Sequence, residues 1–298
     1  MENQANIEVI NNHIEKIKLL KFNEINFNKE NQEILDLLIK YNLDINRNDN
    51  DDHTPLFYAI NAKNEDMVFY FLNHQASIQA INEKIIIIDS LIVNKKIKNY
   101  YYSSSIEETN YNILEMLINH GLNVNSVDIE GKLPILYAIE KNNKKALKLL
   151  LNHNANIDYL NNDISLIKIL FVKNELNDFL VSNCEEKFEL LNILMEYGLD
   201  IERRDNDHKY PLIYAFEEEN DIAFQYLLEK ELDFRSFIST LYNCLSELSL
   251  LLSSNNNIFD LLIKNGFDAN RKDQYGKNLL NYVIEKMPTD EIFIPHLL

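Results

Sequence analysis

A nine-residue phrase recurs along this chain with a basic period of 33 residues, and that recurrence limits the fold more than any other feature. Its copies read LIKYNLDIN (38–46), FLNHQASIQ (71–79), LINHGLNVN (117–125), LLNHNANID (150–158), LMEYGLDIE (194–202), LLEKELDFR (227–235) and LIKNGFDAN (262–270). The fifth position of each is held by Asn42, Gln75, Gly121, Asn154, Gly198, Glu231 and Gly266, at successive spacings of 33, 46, 33, 44, 33 and 35 residues. A period of this length marks an array of like units stacked side by side. The two long intervals then hold one unit plus insertions of 13 and 11 residues.

A second phrase follows each of four such slots by twelve residues: Thr54-Pro55-Leu56, Leu133-Pro134-Ile135, Tyr210-Pro211-Leu212 and Asn278-Leu279-Leu280. Proline suits the first turn of a helix, where its missing N–H has no intrahelical partner to lose. Glycine or asparagine supplies the left-handed residue that closes a helix. All five glycines fall on two repeat positions, the slot itself and the finger turn ten residues later (Gly131, Gly276). The unit is therefore helix, short loop, helix, then an extended finger carrying Asp49, Asp128, Asp205 or Asp273. In the copy at 128–161, helical spacing puts Ile135, Ala138 and Ile139 on one face of the first helix and Leu147, Leu150 and Leu151 together on the second. Neither helix buries its apolar face alone, so adjacent copies must stack.

The pattern resembles the ankyrin repeat, whose consensus runs D-x-x-G-x-T-P-L-H-x-A, then a second helix, then L-L-x-x-G-A-D-V-N. The match is strongest over 49–82, 128–161 and 205–237. It implies an all-α solenoid of stacked helix-loop-helix units with short finger hairpins. The family histidine after T-P-L is replaced by Phe57, Leu136, Ile213 and Asn281, so its hydrogen bond to the next finger is expected to be lost. Asp52 and His208 replace the turn glycine in two copies, which puts the left-handed turn there in question.

One solenoid over 1–298 is expected: an N-terminal capping repeat (1–48), repeats at 49–82, 83–127, 128–161, 162–204, 205–237 and 238–272, and an incomplete copy at 273–298. The isoleucines of NIEVINNHIEKIKLL (6–20) have helical spacing and suit a cap. The copy at 83–127 should carry its first helix around KIIIIDSLIVNKK and an insertion containing YYYSSS (100–105); the copy at 162–204 holds the other insertion, around ELNDFLVSNCEEKFE. A surface insert is expected of YYYSSS, although tyrosine and serine are also the residues of binding loops.

The composition narrows the function. A formal charge of −18 disfavours a grip on phosphates or anionic lipid, both of which need a cationic surface, and favours a basic partner. No apolar run approaches the roughly 18 residues that span a bilayer. Cys184 and Cys244 stand far apart, which fits neither a disulfide framework nor a CxxC metal site and suits a reducing, cytoplasmic setting. The opening MENQANIEV has no basic start or apolar stretch of a secretory signal.

Catalytic and metal chemistry find no foothold in the motifs. His74, His120 and His153 share one repeat position, but stacked helices lie ~8–10 Å apart and zinc–nitrogen bonds are ~2.0–2.1 Å. Equivalent histidines therefore cannot share an ion, and a helix-end role is expected. Cys184, beside Glu185 and Glu186, has no basic neighbour to favour the thiolate. No HExxH, P-loop, GxGxxG or Ser/His/Asp set is present, so no catalytic residue, cofactor or metal is assigned. Tyr58, Tyr137, Tyr214 and Tyr282 recur at one position, which suggests an aromatic ladder for binding, but the ankyrin resemblance implies a packed position and so a place in the core.

What remains is the variable surface. The resemblance implies partner contacts at finger tips and at the exposed ends of first helices. In the first regular copy these are Asn50, Asp51, His53 and Asn61; in the next, Ile129, Glu130, Lys132, Glu140 and Lys141. The third contributes Asn206, Asp207, Lys209, Glu217 and Glu218, and the last Gln274, Tyr275, Lys277 and Glu285. Four of the five arginines, Arg47, Arg203, Arg204 and Arg271, stand at finger roots, ready either for a partner's carboxylates or for the following Asp49, Asp205 or Asp273. The function expected is a non-catalytic, monomeric protein-interaction scaffold that binds another protein and neither nucleic acid nor membrane. An alternative is the targeting region of a larger protein, such as a ubiquitin-ligase adaptor, a channel or a host-directed effector, motivated by the incomplete last copy.

Overall fold

The computed structural model describes residues 29–92, 103–171, 182–207, 209, 211–230, 238, 241–242 and 256–286. The chain divides into two compact units, Met1–Asn156 and Ile157–Leu298. Among the described residues every regular element is helical.

In the first unit, α1 (Lys29–Lys40) is followed by the pair α2 (Pro55–Asn61) and α3 (Glu65–Asn73). Next come α4 (Gln79–Asn82) and α5 (Ser103–Asn119), then the pair α6 (Pro134–Glu140) and α7 (Lys144–Asn152). The second unit holds α8 (Asp158–Asn162), α9 (Ser182–Glu196), the pair α10 (Pro211–Glu217) and α11 (Asp221–Leu228), then α12 (Asn256–Lys264) and α13 (Leu279–Lys286). First helices pack against first helices and second against second: α3 on α5 and α5 on α7 in one unit, α9 on α11 and α11 on α12 in the other. The fold is the all-α ankyrin-repeat arrangement in both units.

Each boundary has a local cause. Pro55, Pro134 and Pro211 open the first helices, and the Thr54 hydroxyl accepts the Phe57 N–H at 3.3 Å. Between helices one residue turns left-handed (Lys63, φ +55°; Asn142, +50°; Glu219, +51°). The next residue is asparagine in all three copies, and its side chain caps the second helix: Asn64 accepts the Met67 N–H at 3.1 Å, Asn143 that of Ala146 at 2.9 Å, and Asn220 that of Ala223 at 3.0 Å. These caps went unread in the sequence, although three asparagines eleven residues before the slot were the signal.

The slot closes the second helix as the period predicts. Asn42, Gln75, Gly121, Asn154, Gly198 and Gly266 all have φ between +63° and +99°. The slot N–H and the following N–H bond back across the last turn, as in Gly121 to Ile118 (3.0 Å) and Leu122 to Leu117 (2.9 Å). Glu231 lies outside the described residues. The histidine before the slot is a helix end: the Nδ1 atoms of His74 and His120 lie 2.9 and 2.8 Å from the carbonyl oxygens of Tyr70 and Met116.

Two expectations need correction. The first helix of the copy at 83–127 is not a regular α-helix: α4 is followed by a 3-10 helix over Ile85–Ser90, and the copy at 162–204 likewise has Ile164–Leu170 after α8. Neither start carries an N1 proline, and four consecutive β-branched isoleucines are poor α-helix formers. Burial still fixes the segment, with Ile85, Ile87 and Ile88 enclosed against α2 and α6. The insertions, in turn, partly lengthen the second helices: α5 has 17 residues and α9 has 15, against nine in α3 and α7. Ser103–Ser105 of YYYSSS thus open α5, and Cys184 sits in α9, whereas residues 93–102, 172–181 and the expected caps at 6–20 and 287–298 lie outside the described residues.

Neighbouring repeats are joined by a bidentate asparagine clamp, in which one amide donates to the slot carbonyl and accepts the N–H two residues on. Asn46 does this to Gln75 and Ser77 (3.4 and 2.6 Å), Asn82 to Gly121 and Asn123 (3.5 and 2.8 Å), and Asn125 to Asn154 and Asn156 (2.9 and 2.7 Å). In the second unit Asn161 does it to Gly198 and Asp200 (3.0 and 2.8 Å).

Candidate functional site: the fingers and first-helix ends

The four regular fingers are one small machine built four times. Each is closed by a backbone bond from the aspartate N–H to the carbonyl four residues on, as from Asp128 to Lys132 (3.0 Å) and Asp273 to Lys277 (2.8 Å). The left-handed turn survives without glycine: Asp52 adopts φ +62°, beside +79° at Gly131 and +73° at Gly276. His208 lies outside the described residues.

The aspartate organises the turn. Asp128 Oδ1 accepts the N–H groups of Glu130 (2.8 Å) and Lys132 (2.9 Å), and the Tyr137 hydroxyl donates to Oδ2. Asp49 with Tyr58, Asp205 with Tyr214 and Asp273 with Tyr282 repeat the arrangement. The tyrosine series is therefore core with a polar end: the Tyr137 and Tyr214 rings are buried, those of Tyr58 and Tyr282 half-buried, and each hydroxyl reaches its own finger. The hydroxyl supplies a hydrogen bond to the finger in copies that lack the family histidine. The spacing of nine residues between Asp and Tyr was legible but was not read as a pair.

The same geometry shifts the acidities. Partial burial alone would raise the Asp128 carboxyl, but the Tyr137 hydroxyl and then the Lys132 and Glu130 N–H groups outweigh it and hold it below the usual range. Asp49 and Asp273 are lowered by the same balance, with burial opposed by Tyr58 or Tyr282 and two backbone N–H groups. Burial followed by the Asp128 bond pushes the Tyr137 phenol up, and the Asp273 bond followed by burial pushes Tyr282 to about 12. A carboxyl whose folded pKa is depressed adds stability above its unfolded value, ~3.9, and loses it as pH falls through the folded pKa. The variant carrying Asp49→Asn, Asp128→Asn and Asp273→Asn is expected to be less stable at pH 7. Its urea midpoint should also fall less than that of the unaltered chain between pH 5 and pH 2.

Lys132 pairs with Glu140, Lys209 with Glu217 at 2.5 Å and Lys277 with Glu285 at 2.7 Å, each joining a finger to the end of its first helix. Lys132 and Lys277 also lie over the Tyr137 and Tyr282 rings, 4.2 and 5.1 Å from the centroids. Lys141 pairs with Asp89 at 2.5 Å and Glu218 with Lys168 at 3.4 Å, ties between neighbouring copies. His53 stacks on Phe57 at 3.9 Å. Asn61, at the matching helix end, is exposed.

Arg203 and Arg271 do not take the following aspartates, whose oxygens accept the finger's N–H groups and the tyrosine hydroxyl. Arg203 instead approaches Asp200 at 3.8 Å and the Asn161 carbonyl at 3.4 Å, and Arg271 lies over the Tyr242 ring at 4.3 Å. Arg47 and Arg204 are exposed at their finger roots. At the tips, Asn50, Asp51, Glu130, Asn206, Asp207 and Gln274 are exposed, and two apolar side chains stand out, Ile129 at 92% and Tyr275 at 73% exposure. Asp49, Asp51 and His53 offer ligand atoms within 4.8 Å of one another, but both Asp49 oxygens are already engaged in shaping the turn. Among the described residues no helix is long and apolar enough to cross a membrane.

A family model described as ankyrin repeats (many copies) matches residues 26–72 and 105–151. No curated protein matches the sequence significantly. Among solved structures, the human ASB11 ankyrin repeat domain is similar at 16% identity and TM-score 0.46, over 78% of this chain and 93% of that one. The ankyrin repeat domain of Bcl-3, a member of the IkappaB protein family, gives 17% identity and TM-score 0.48 over 78% and 97%. A chain from the complex of the Bd0816 predatory endopeptidase of Bdellovibrio bacteriovorus with immunity protein Bd3460 gives 17% and 0.43 over 72% and 97%. With the repeat model on two segments and the same helix pair, slot and finger recurring in both units, the chain carries the ankyrin-repeat fold and is similar to the ankyrin-repeat proteins.

Proposed function

We propose that this chain is a non-catalytic scaffold that holds a protein partner with a basic surface on its finger tips and first-helix ends. Ankyrin repeats are in general protein–protein interaction modules. The observation that carries the assignment of the tips is the contrast within each finger. The turn is fixed by its aspartate, tyrosine and backbone bonds, while the tip residues differ from copy to copy and project into solvent, Ile129 and Tyr275 most of all. A surface held rigid before binding loses little freedom on association. The formal charge of −18 favours encounter with a cationic partner and makes that encounter sensitive to salt.

The test uses the intact chain immobilised against an extract of its native cell. A retained protein should be released at ~0.5 M salt, where charges more than a few ångströms apart are screened. It should also be lost when Ile129 and Tyr275 are both changed to Asp. Retention that ignores salt overturns the electrostatic part, and retention that ignores both substitutions overturns the assignment of the tips.

A further inference from the structure

We propose that α5 has two N-terminal boundaries, one at Ser103 and one at Asn110, and that residues 103–109 pass between helix and open chain while 111–119 remain helical. The starting point is a misplaced cap. Asn64, Asn143 and Asn220 stand eleven residues before their slots, and each caps a second helix by accepting the N–H three residues on. Asn110 stands eleven residues before Gly121, the same position in the copy at 83–127. Here the helix does not start at the asparagine but runs on from Ser103.

Inside a continuous helix the Ile113 N–H is committed to the carbonyl four residues back, so Asn110 has nothing to cap. Its side chain is left at 1% exposure with neither the amide oxygen nor the amide nitrogen hydrogen-bonded. A fully orphaned buried amide is rare and costly in a native protein. A helix beginning after Asn110 would give the amide oxygen a partner, because the Ile113 N–H would become free for it, as the Met67, Ala146 and Ala223 N–H groups are for theirs.

The two stretches differ in sequence, and the second is anchored. From Tyr111 onward α5 is tied to its neighbours: Asn112 donates to Glu65 at 3.1 Å, Lys145 lies 5.9 Å from the Tyr111 ring centroid, and Ile113, Leu114, Leu117 and Ile118 are buried. The stretch SSSIEET (103–109) offers one apolar residue and four of serine and threonine, which favour caps and turns over helix interiors. Glu107 and Glu108, just ahead of Asn110, would also suit the positive end of the shorter helix. The segment is thus an order–disorder element whose balance any ligand with a preference for one boundary would move. The inference stands independently of what the fingers bind.

Amide hydrogen exchange on the intact chain, read separately over 103–109 and 111–119, tests it. In the unaltered protein 103–109 should exchange faster. Asn110→Ala removes the cap and the orphan together, and should slow 103–109 about tenfold. Asn110→Asp strengthens the cap and makes the long helix bury a charge, and should speed 103–109 by about as much with 111–119 unchanged. Equal protection of the two stretches in the unaltered chain overturns the proposal. So does an Asn110→Ala variant that exchanges faster in both stretches, since the amide would then be supporting the helix as it stands.

Discussion

Phe71→Ala is expected to remove about 3–5 kcal/mol of stability, while Phe69→Ala on the same helix should cost less than about 0.5 kcal/mol. The two side chains are two residues apart on α3 and point in opposite senses: Phe71 is fully enclosed and Phe69 is 56% exposed. Phe71 occupies the first position of the recurring phrase, four residues before the slot. Its equivalents Leu117, Leu150, Leu194, Leu227 and Leu262 are fully enclosed as well. The residue at this position also lends its carbonyl to the turn that ends the helix, as Phe71 does to the Ala76 N–H at 2.9 Å. One repeat position thus seats the helix in the stack with its side chain and places the helix end with its backbone carbonyl. Because each repeat is stabilised mainly by its neighbours, the cavity left by alanine should loosen α5 as well as α3. Urea unfolding followed by circular dichroism gives the two midpoints directly, and equal losses would show that the second helices are not packed as described.

The parts of this architecture that the sequence made legible are those with few chemical solutions. A left-handed helix end admits glycine or asparagine readily, so Gly121, Asn154 and Gly198 could be read one by one, and alignment then carried Gln75 with them despite its side chain. The enclosed face of α6 and α7 followed from helical spacing, since Ile135, Ala138, Leu147 and Leu150 repeat on one side. Other features depend on a partner that periodicity does not reveal. The first segments of the irregular copies are runs such as IIII, whose burial is evident but whose helix type is decided by what surrounds them. The ion pairs Lys132–Glu140, Lys209–Glu217 and Lys277–Glu285 bridge a finger and a helix, so their spacing of eight residues matches no single-element rule. The same residues, expected as partner contacts, thus also hold the frame. At the tips Ile129 and Tyr275 are the most exposed large apolar side chains among the described residues.

The least legible feature is the clamp between repeats, and Asn161→Ala should show how much it holds. The amide spans 37 residues to the Gly198 carbonyl and 39 to the Asp200 N–H, and its equivalents shift between four and seven residues past the slot, so no alignment column collects them. Asn161 is buried although Gly198 and Asp200 are exposed residues, and removing its side chain takes two part-buried hydrogen bonds from the Asp200 N–H and the Gly198 carbonyl. The expected loss is about 2–3 kcal/mol. At Asn46, which is exposed and makes the same two bonds, alanine should cost under about 1 kcal/mol, because water can replace the amide there. Asn161→Asp separates the two halves of the clamp. The acceptor for Asp200 survives, but an ionised carboxylate now faces the Gly198 carbonyl, which favours the protonated form in the folded state. The folded pKa of the new carboxyl is therefore raised above the unfolded value of ~3.9, and its contribution is present below that value and lost as pH rises. Compared with the unaltered chain, this variant should be least impaired in acid and most impaired at neutral pH. An impairment that does not change between pH 4 and pH 7 would mean that the amide nitrogen bears no part of the load.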